Sequence, residues 1–199
     1  MAIVIKENEP LAPYTIYKIG GSALFCTEVQ NRAELEDALK FASEKNAPFF
    51  IMGAGSNTLI SDKGFHGMVI RLTGGEIKID EDRMIVDAGV IMARVAAEAA
   101  RAGMSGFAWA IGVPGTIGGS VRGNAGCFGH EMKDAVEFVA VYDAATSASI
   151  QYSASDIQFG YRDSIFKRHP EWIVLSATLQ LQKGDAATIQ QEIRAMSVE

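Results

Sequence analysis

At 199 residues, 48% apolar and 21% charged, the chain has the balance of an ordinary soluble globular protein, long enough for one large domain or two small ones sharing a core. Its formal charge of −6 excludes a broad nucleic-acid surface, which needs clustered Lys and Arg, so any phosphate binding must be local. Two cysteines without CxxC spacing, Cys26 and Cys127, and scattered histidines at 66, 130 and 169 predict reduced thiols and no protein-bound metal.

The N-terminal MAIVIKENEP is too short an apolar run for a signal peptide, and the apolar region 88–119 is interrupted by Arg94, Glu98 and Arg101. No membrane span is predicted, and the expected compartment is the cytoplasm. LFCTEV (24–29) reads as a strand, and Asn31 followed by Glu34 is a capping-box start for the helix ELEDALKFASEKN. PFFIM (48–52) is a short buried strand running straight into GAGSN, so this β–α–β unit predicts a parallel pair. MVIRL (68–72), EIKI (76–79) and MIVDAG (84–89) continue with strand character, the last two across the turn DEDR.

ARVAAEAARA (93–102) is a helix stopped by Gly103, and its alanines predict close packing on a sheet or another helix. VEFVAVYDA (136–144) and ASIQY (148–152) read as a hairpin. WIVLSATLQLQ (172–182) alternates, with Ile173, Leu175, Ala177, Leu179 and Leu181 on one face of a half-buried antiparallel strand. Asp185 caps a final helix, AATIQQEIRAM. The fold class is α+β in two lobes, 1–73 and 74–183, with a terminal helix over 184–199 leading towards a further domain.

Three stretches carry chemistry. GAGSNT (53–58) follows a strand, but the third glycine of GxGxxG falls at Thr58 and no helix follows, which argues against a Rossmann site. It is either a sharp turn alone or an anion-binding nest of backbone N–H groups with Ser56 and Asn57. VPGTIGGSVRGNAG (113–126) has five glycines and no lysine, so it is not a P-loop, yet a turn-like run of this length is usually functional. Two such segments, one per lobe, predict a shared grip on one extended, phosphorylated ligand such as a pyrophosphate. FGYRDSIFK (159–167) sets Arg162 and Lys167 beside Tyr161 and Phe166, suited to an anion next to a flat ring; the alternative is a surface turn with a satisfied Arg–Asp pair. No Ser-His-Asp or Cys-His set accompanies it.

YTIYKIGGSA (14–23), IMGAGSNTLISD (51–62), AIGVPGTIGGSVRGNAGCFG (110–129) and FGYRDSIFK (159–167) together, in this order, resemble the UDP-N-acetylenolpyruvoylglucosamine reductase (UDP-N-acetylmuramate dehydrogenase) family. The resemblance implies a two-lobed FAD-binding fold of the vanillyl-alcohol-oxidase (PCMH) type holding FAD noncovalently. It places Gly53, Ala54, Gly55, Ser56, Asn57, Thr58 and Leu59, with Val113, Pro114, Gly115, Thr116, Gly118, Gly119, Asn124 and Gly126, along the cofactor. It implies NADPH as reductant and a UDP-sugar enolpyruvyl ether as substrate, in cytoplasmic peptidoglycan precursor synthesis. On this resemblance Arg162 is expected to take the catalytic role of stabilising the enolpyruvyl carboxylate, with Tyr161 and Lys167 near the substrate. The family's protonating serine and assisting glutamate belong to a third domain. That domain has no match in these 199 residues, so the expectation is a piece of a longer chain, a shortened gene product, or one half of a split enzyme whose partner chain supplies it. Ser164 belongs to the YRxS motif and does not take the serine's role. Two other readings are a module that holds flavin without turnover, and an FAD oxidase of the wider fold. The oxidase reading is weakened because 112–129 has no histidine for flavin attachment, and His130 only adjoins it.

Overall fold

A computed structural model describes residues 3–197. The chain divides between Gly75 and Glu76 into two compact units, two residues beyond the expected boundary, and the terminal helix falls in the second.

The first unit is built on a four-stranded sheet with β1 (Lys6–Pro10), β2 (Ser22–Val29), β3 (Phe49–Met52) and β4 (Phe65–Leu72) in the order β1-β2-β4-β3. Helix α1 (Arg32–Glu44) joins β2 to β3 and buries Leu35, Ala38 and Ala42, one stripe at helical spacing. Asn31 caps it as expected, its side chain accepting from the Glu34 N–H at 3.0 Å, while the Glu34 carboxylate reaches the Gln30 N–H at 2.8 Å. The two strands of the β–α–β unit are parallel as expected but are not hydrogen-bonded neighbours, because β4 lies between β2 and β3, parallel to both. Met68, Val69 and Ile70 of β4 are fully buried, which suits a strand with neighbours on both sides. Leu11, Ala23, Cys26, Met52 and Val69 form the core on which Tyr14, Ile60 and Phe65 rest.

In the second unit, β5 (Ile77–Asp80) and β6 (Arg83–Asp87) form a hairpin, followed by α2 (Met92–Arg101), β7 (Met104–Ser105), α3 (Ile117–Gly123), β8 (Gly126–Cys127) and β9 (His130–Glu131). Strands β10 (Val136–Asp143), β11 (Ala148–Ser153) and β12 (Trp172–Gln180) complete a five-stranded antiparallel sheet ordered β11-β10-β12-β6-β5. β13 (Gln182–Lys183) pairs with β7, and α4 (Ala186–Ser197) ends the described chain. Asp185 caps α4, accepting from the Thr188 N–H at 2.8 Å. Helix α2 buries Met92, Val95, Ala96, Ala99 and Ala100 and packs on the 3₁₀ turn Ala108–Gly112, on β7 and on α4. Phe107 and Trp109 fill that junction edge to face, ring centroids 5.3 Å apart.

The alternation expected along β12 holds at Ile173, Ala177 and Leu179 and fails between them. A register shift after Ala140 pairs Val141 with Val174, so Val174 is buried and Leu175 only half-buried. An irregularity of this kind advances one strand against its partner and reassigns its faces.

The glycine-rich segment also departs from its turn-like composition. Half of it is helix α3, because Ile117, Gly118 and Val121 form a buried stripe against β6 and β12. Pro114 and Gly115, the latter at φ +131°, lead into it.

Candidate functional site

The GAGSNT turn leaves β3 and bends back on the chain at Tyr14–Ile16. Gly55 sits at φ +67°, its carbonyl accepts from the Ile16 N–H at 3.3 Å, and a Cβ there would lie 2.0 Å from the Tyr14 carbonyl oxygen. Glycine is obligatory at this point because the protein's own backbone fills the space. Gly53, Ser56 and Thr58 are half-buried, Ala54 and Asn57 are exposed, and Leu59 is 71% exposed.

In the second segment two glycines differ in kind. A Cβ on Gly118 would come within 2.9 Å of the Ala88 Cβ, so its bareness lets α3 pack on the sheet. Gly119 is exposed, and a Cβ there would meet only the Thr116 hydroxyl at 3.6 Å. Nothing in the protein's packing excludes a side chain at Gly119. The first two N–H groups of α3 are already spent, Ile117 on the Val90 carbonyl and Gly118 on Ala88, both at 2.9 Å. The segment therefore offers a bare exposed face rather than a free helix end. Val113 and Gly115 are half-buried, Pro114 is exposed, and Thr116 is buried and bridged to Ile91.

Tyr161 and Arg162 occupy a tight turn closed by Gly160 and Asp163, with Gly160 N–H to Asp163 O at 3.0 Å and the reverse bond at 3.2 Å. Arg162 adopts φ +52°, a left-handed conformation uncommon for a long side chain. Its Nη2 donates to the Gly126 carbonyl at 2.8 Å, at the end of the glycine-rich segment. Lys167 Nζ donates to the Arg162 carbonyl at 2.5 Å. An Arg–Asp pair does form at this turn, but with Arg168: Asp163 pairs with it at 2.8 Å, and Arg162 pairs with no carboxylate among the described residues. Tyr161 is 85% exposed, its ring centroid 5.8 Å from the Arg162 Cζ. Ser164 is fully buried and its hydroxyl donates to the Arg122 carbonyl at 2.8 Å, so it is a structural residue.

Arg162 and Tyr161 line a cleft of about 410 Å³ with Cys127, His130, Glu131 and Lys133, residues that the sequence reading did not single out beyond noting His130 and Cys127. The local signal was available in Phe128-Gly129, a two-residue hairpin tip at φ +53° and +80° joining β8 to β9. Asn124, expected along the cofactor, is instead 0% exposed, with its carboxamide bonded to other parts of the second unit.

The Lys133 ammonium, 2.6 Å away, with the Asn124 amide and the Arg162 charge, holds the Glu131 carboxyl below its ordinary value of 4.5. A lowered carboxyl stabilises the fold above its unfolded value and loses that contribution as pH falls through the folded one. Acid titration should therefore show the stability gap between the native chain and Glu131→Gln closing below about pH 4.5, checked by thermal melts across the range.

A family model described as an FAD binding domain matches residues 23–148. A UDP-N-acetylenolpyruvoylglucosamine reductase of Caldanaerobacter subterraneus subsp. tengcongensis is 36% identical over 191 residues, covering 96% of this chain and 63% of that protein. The chain thus spans under two thirds of the length of such curated relatives. The crystal structure of the UDP-N-acetylenolpyruvylglucosamine reductase from Thermus caldophilus superposes with a TM-score of 0.80 at 34% identity, covering all of this chain and 69% of that one. A solvent-stable cholesterol oxidase shares the fold, at TM-score 0.61 and 15% identity over 91% of this chain and 38% of its own. The architecture is the two-lobed α+β FAD-binding fold of the vanillyl-alcohol-oxidase type, and the bare face at Gly119 fits such a cofactor. With the family model over most of its length and a 34%-identical solved relative of which it covers 69%, the chain belongs to the UDP-N-acetylenolpyruvoylglucosamine reductase family.

Proposed function

We propose that the chain is the FAD-holding portion of an NADPH-dependent reductase that converts the enolpyruvyl ether of UDP-N-acetylglucosamine to UDP-N-acetylmuramate, in cytoplasmic peptidoglycan precursor synthesis. The observation that carries this reading is Arg162: its backbone is locked, one guanidinium nitrogen is anchored on the Gly126 carbonyl, and no carboxylate among the described residues forms an ion pair with it at contact distance, although Glu131 lies within electrostatic reach. A guanidinium held that way suits an anion from outside, and Tyr161 offers a ring beside it.

FAD held noncovalently along Gly53–Leu59 and along Val113, Pro114, Gly115, Thr116, Gly118, Gly119 and Gly126 would supply hydride transfer from NADPH to the vinyl carbon. As negative charge grows on the enolpyruvyl carboxylate, the fixed Arg162 guanidinium stabilises it without reorganising. Lys167, given its bond to the Arg162 carbonyl, holds the turn and adds positive charge at its base. The rest of the substrate site comes from the region of the relatives that this chain does not match, on the same polypeptide or a partner chain.

The test is a visible spectrum of the purified chain with and without added FAD. Uptake of flavin, shown by its absorption bands and by quenched fluorescence, is expected. A protein that stays colourless and leaves free FAD fluorescence unchanged overturns the reading. NADPH oxidation that depends on the UDP-sugar substrate is then measured on a polypeptide of the relatives' length.

A further inference from the structure

Asn124 ends α3 in the left-handed conformation, φ 43° and ψ 55°, with no exposed surface. Its carboxamide makes three bonds. Nδ2 donates to the Gly160 carbonyl at 2.9 Å and to Glu131 Oε2 at 3.1 Å, and Oδ1 accepts from the Lys133 N–H at 3.0 Å. Both amide donors and one acceptor site are therefore used inside the protein. The orientation is fixed by its partners, since a flipped amide would set oxygen against the Gly160 carbonyl and the Glu131 carboxylate.

One of those bonds reaches the turn that carries Arg162, and the other two hold Glu131 and Lys133 beside it. Gly160, which Asn124 grips, opens the turn, and Gly126, two residues after Asn124, receives the Arg162 guanidinium. Both ends of the Arg162 assembly are thus tied to the three residues that close the glycine-rich segment. We propose that Asn124 is a positioning residue: it clamps the Gly160–Asp163 turn to the end of α3, so that the segment assigned to FAD and the arginine assigned to the substrate move as one piece. The catalytic part of this inference rests on the proposed role of Arg162; the clamp itself does not.

The residue type follows from two demands made at one position. The backbone needs the left-handed region, which Gly, Asn and Asp tolerate best. The side chain needs two donors towards oxygens and one acceptor towards an N–H, which among these only Asn provides. Asn124→Gly keeps the backbone and removes the clamp. Asn124→Asp keeps the shape but sets a carboxylate against Glu131 and the Gly160 carbonyl.

Amide hydrogen exchange on the chain tests the clamp. In Asn124→Gly the amides of Gly160, Asp163 and Lys133 should exchange at least about tenfold faster, and in Asn124→Asp, should the first fold poorly, those of Gly160 and Asp163 should do so while Lys133 keeps a carboxylate acceptor; Val139 and Ala177 in the central strands keep their protection. Uniform acceleration, or unchanged rates at those three amides, overturns the inference. On a polypeptide of the relatives' length, Asn124→Gly should lower turnover in the native background and change it little when combined with Arg162→Ala, with flavin content retained. Additive losses overturn the coupling to Arg162. Local exchange as expected with an Arg162→Ala variant of full activity would leave the clamp standing and refute the proposed function instead.

Discussion

Arg162→Ala, in a polypeptide of the relatives' full length, should lower enolpyruvyl reduction by about 10²-fold or more while flavin content persists, the scale of losing one preorganised charge contact in a transition state. The site explains why the loss should be large. Arg162 is not a flexible surface arginine whose absence water could replace. Its backbone is held by the closed turn, its carbonyl by Lys167 and its guanidinium by Gly126. Its left-handed φ of +52° is a conformation that costs a non-glycine residue roughly 1–2 kcal/mol. Lys18, Glu81 and Gln158 adopt the same conformation, so what distinguishes Arg162 is its anchored guanidinium rather than its backbone. Arg162→Gly supplies the matching control: the turn should be at least as stable as in the native chain, with melting unchanged or raised, and activity should fall as far as in Arg162→Ala. Arg162→Lys should recover little, because an ammonium cannot hold the Gly126 carbonyl and a substrate carboxylate in one planar fork. Parallel loss of flavin and activity in Arg162→Ala would mean that the residue is structural.

The second large effect separates two kinds of glycine. Gly119→Ala places a methyl group into open space on an exposed helical position, so the flavin-free protein should be stabilised by roughly 0.5–1 kcal/mol, the usual gain of alanine over glycine in a helix. Flavin affinity should move the other way, falling about tenfold or more, because the added methyl overpacks the face proposed for the cofactor. Titration of flavin fluorescence against each variant, paired with melts of the flavin-free proteins, reads both signs. Gly55→Ala gives the opposite pattern. Its Cβ would sit 2.0 Å from the Tyr14 carbonyl oxygen at φ +67°, so the fold itself should lose roughly 2 kcal/mol or more before any flavin is added. Unchanged flavin affinity in Gly119→Ala would remove that residue from the cofactor site.

Much of this chain could be read locally. The Asn31 cap, the helix ending at Gly103, the hairpin of β10 and β11 and the cap at Asp185 depend on neighbours within a few residues, and all appear in the structure. The GAGSNT turn without a following helix was legible for the same reason, and so was the cluster of charge and rings around Arg162. What escaped depended on partners distant in sequence. Strand order is one case, since the spacing of β2 and β3 predicts parallel strands but cannot show that β4 will come between them. The register shift that buries Val174 in place of Leu175 is another, because an irregularity belongs to a pair of strands and not to either alone.

The glycine-rich segment shows the division most clearly. By itself the sequence determined that backbone must come close to something along VPGTIGGSVRGNAG, that four ordered motifs point to one flavoprotein family, and that an arginine would stand beside a tyrosine. Only the tertiary structure decided that Gly118 answers to Ala88 while Gly119 stays bare, that Asp163 turns to Arg168 and leaves Arg162 without a carboxylate in contact, and that the buried Asn124 carboxamide bonds to Gly160, Glu131 and Lys133. The physical reason is common to all three. Residue type sets which conformations and bonds are possible, but which of those bonds form depends on atoms brought alongside by the fold, such as Gly160 against Asn124 across thirty-six positions of chain.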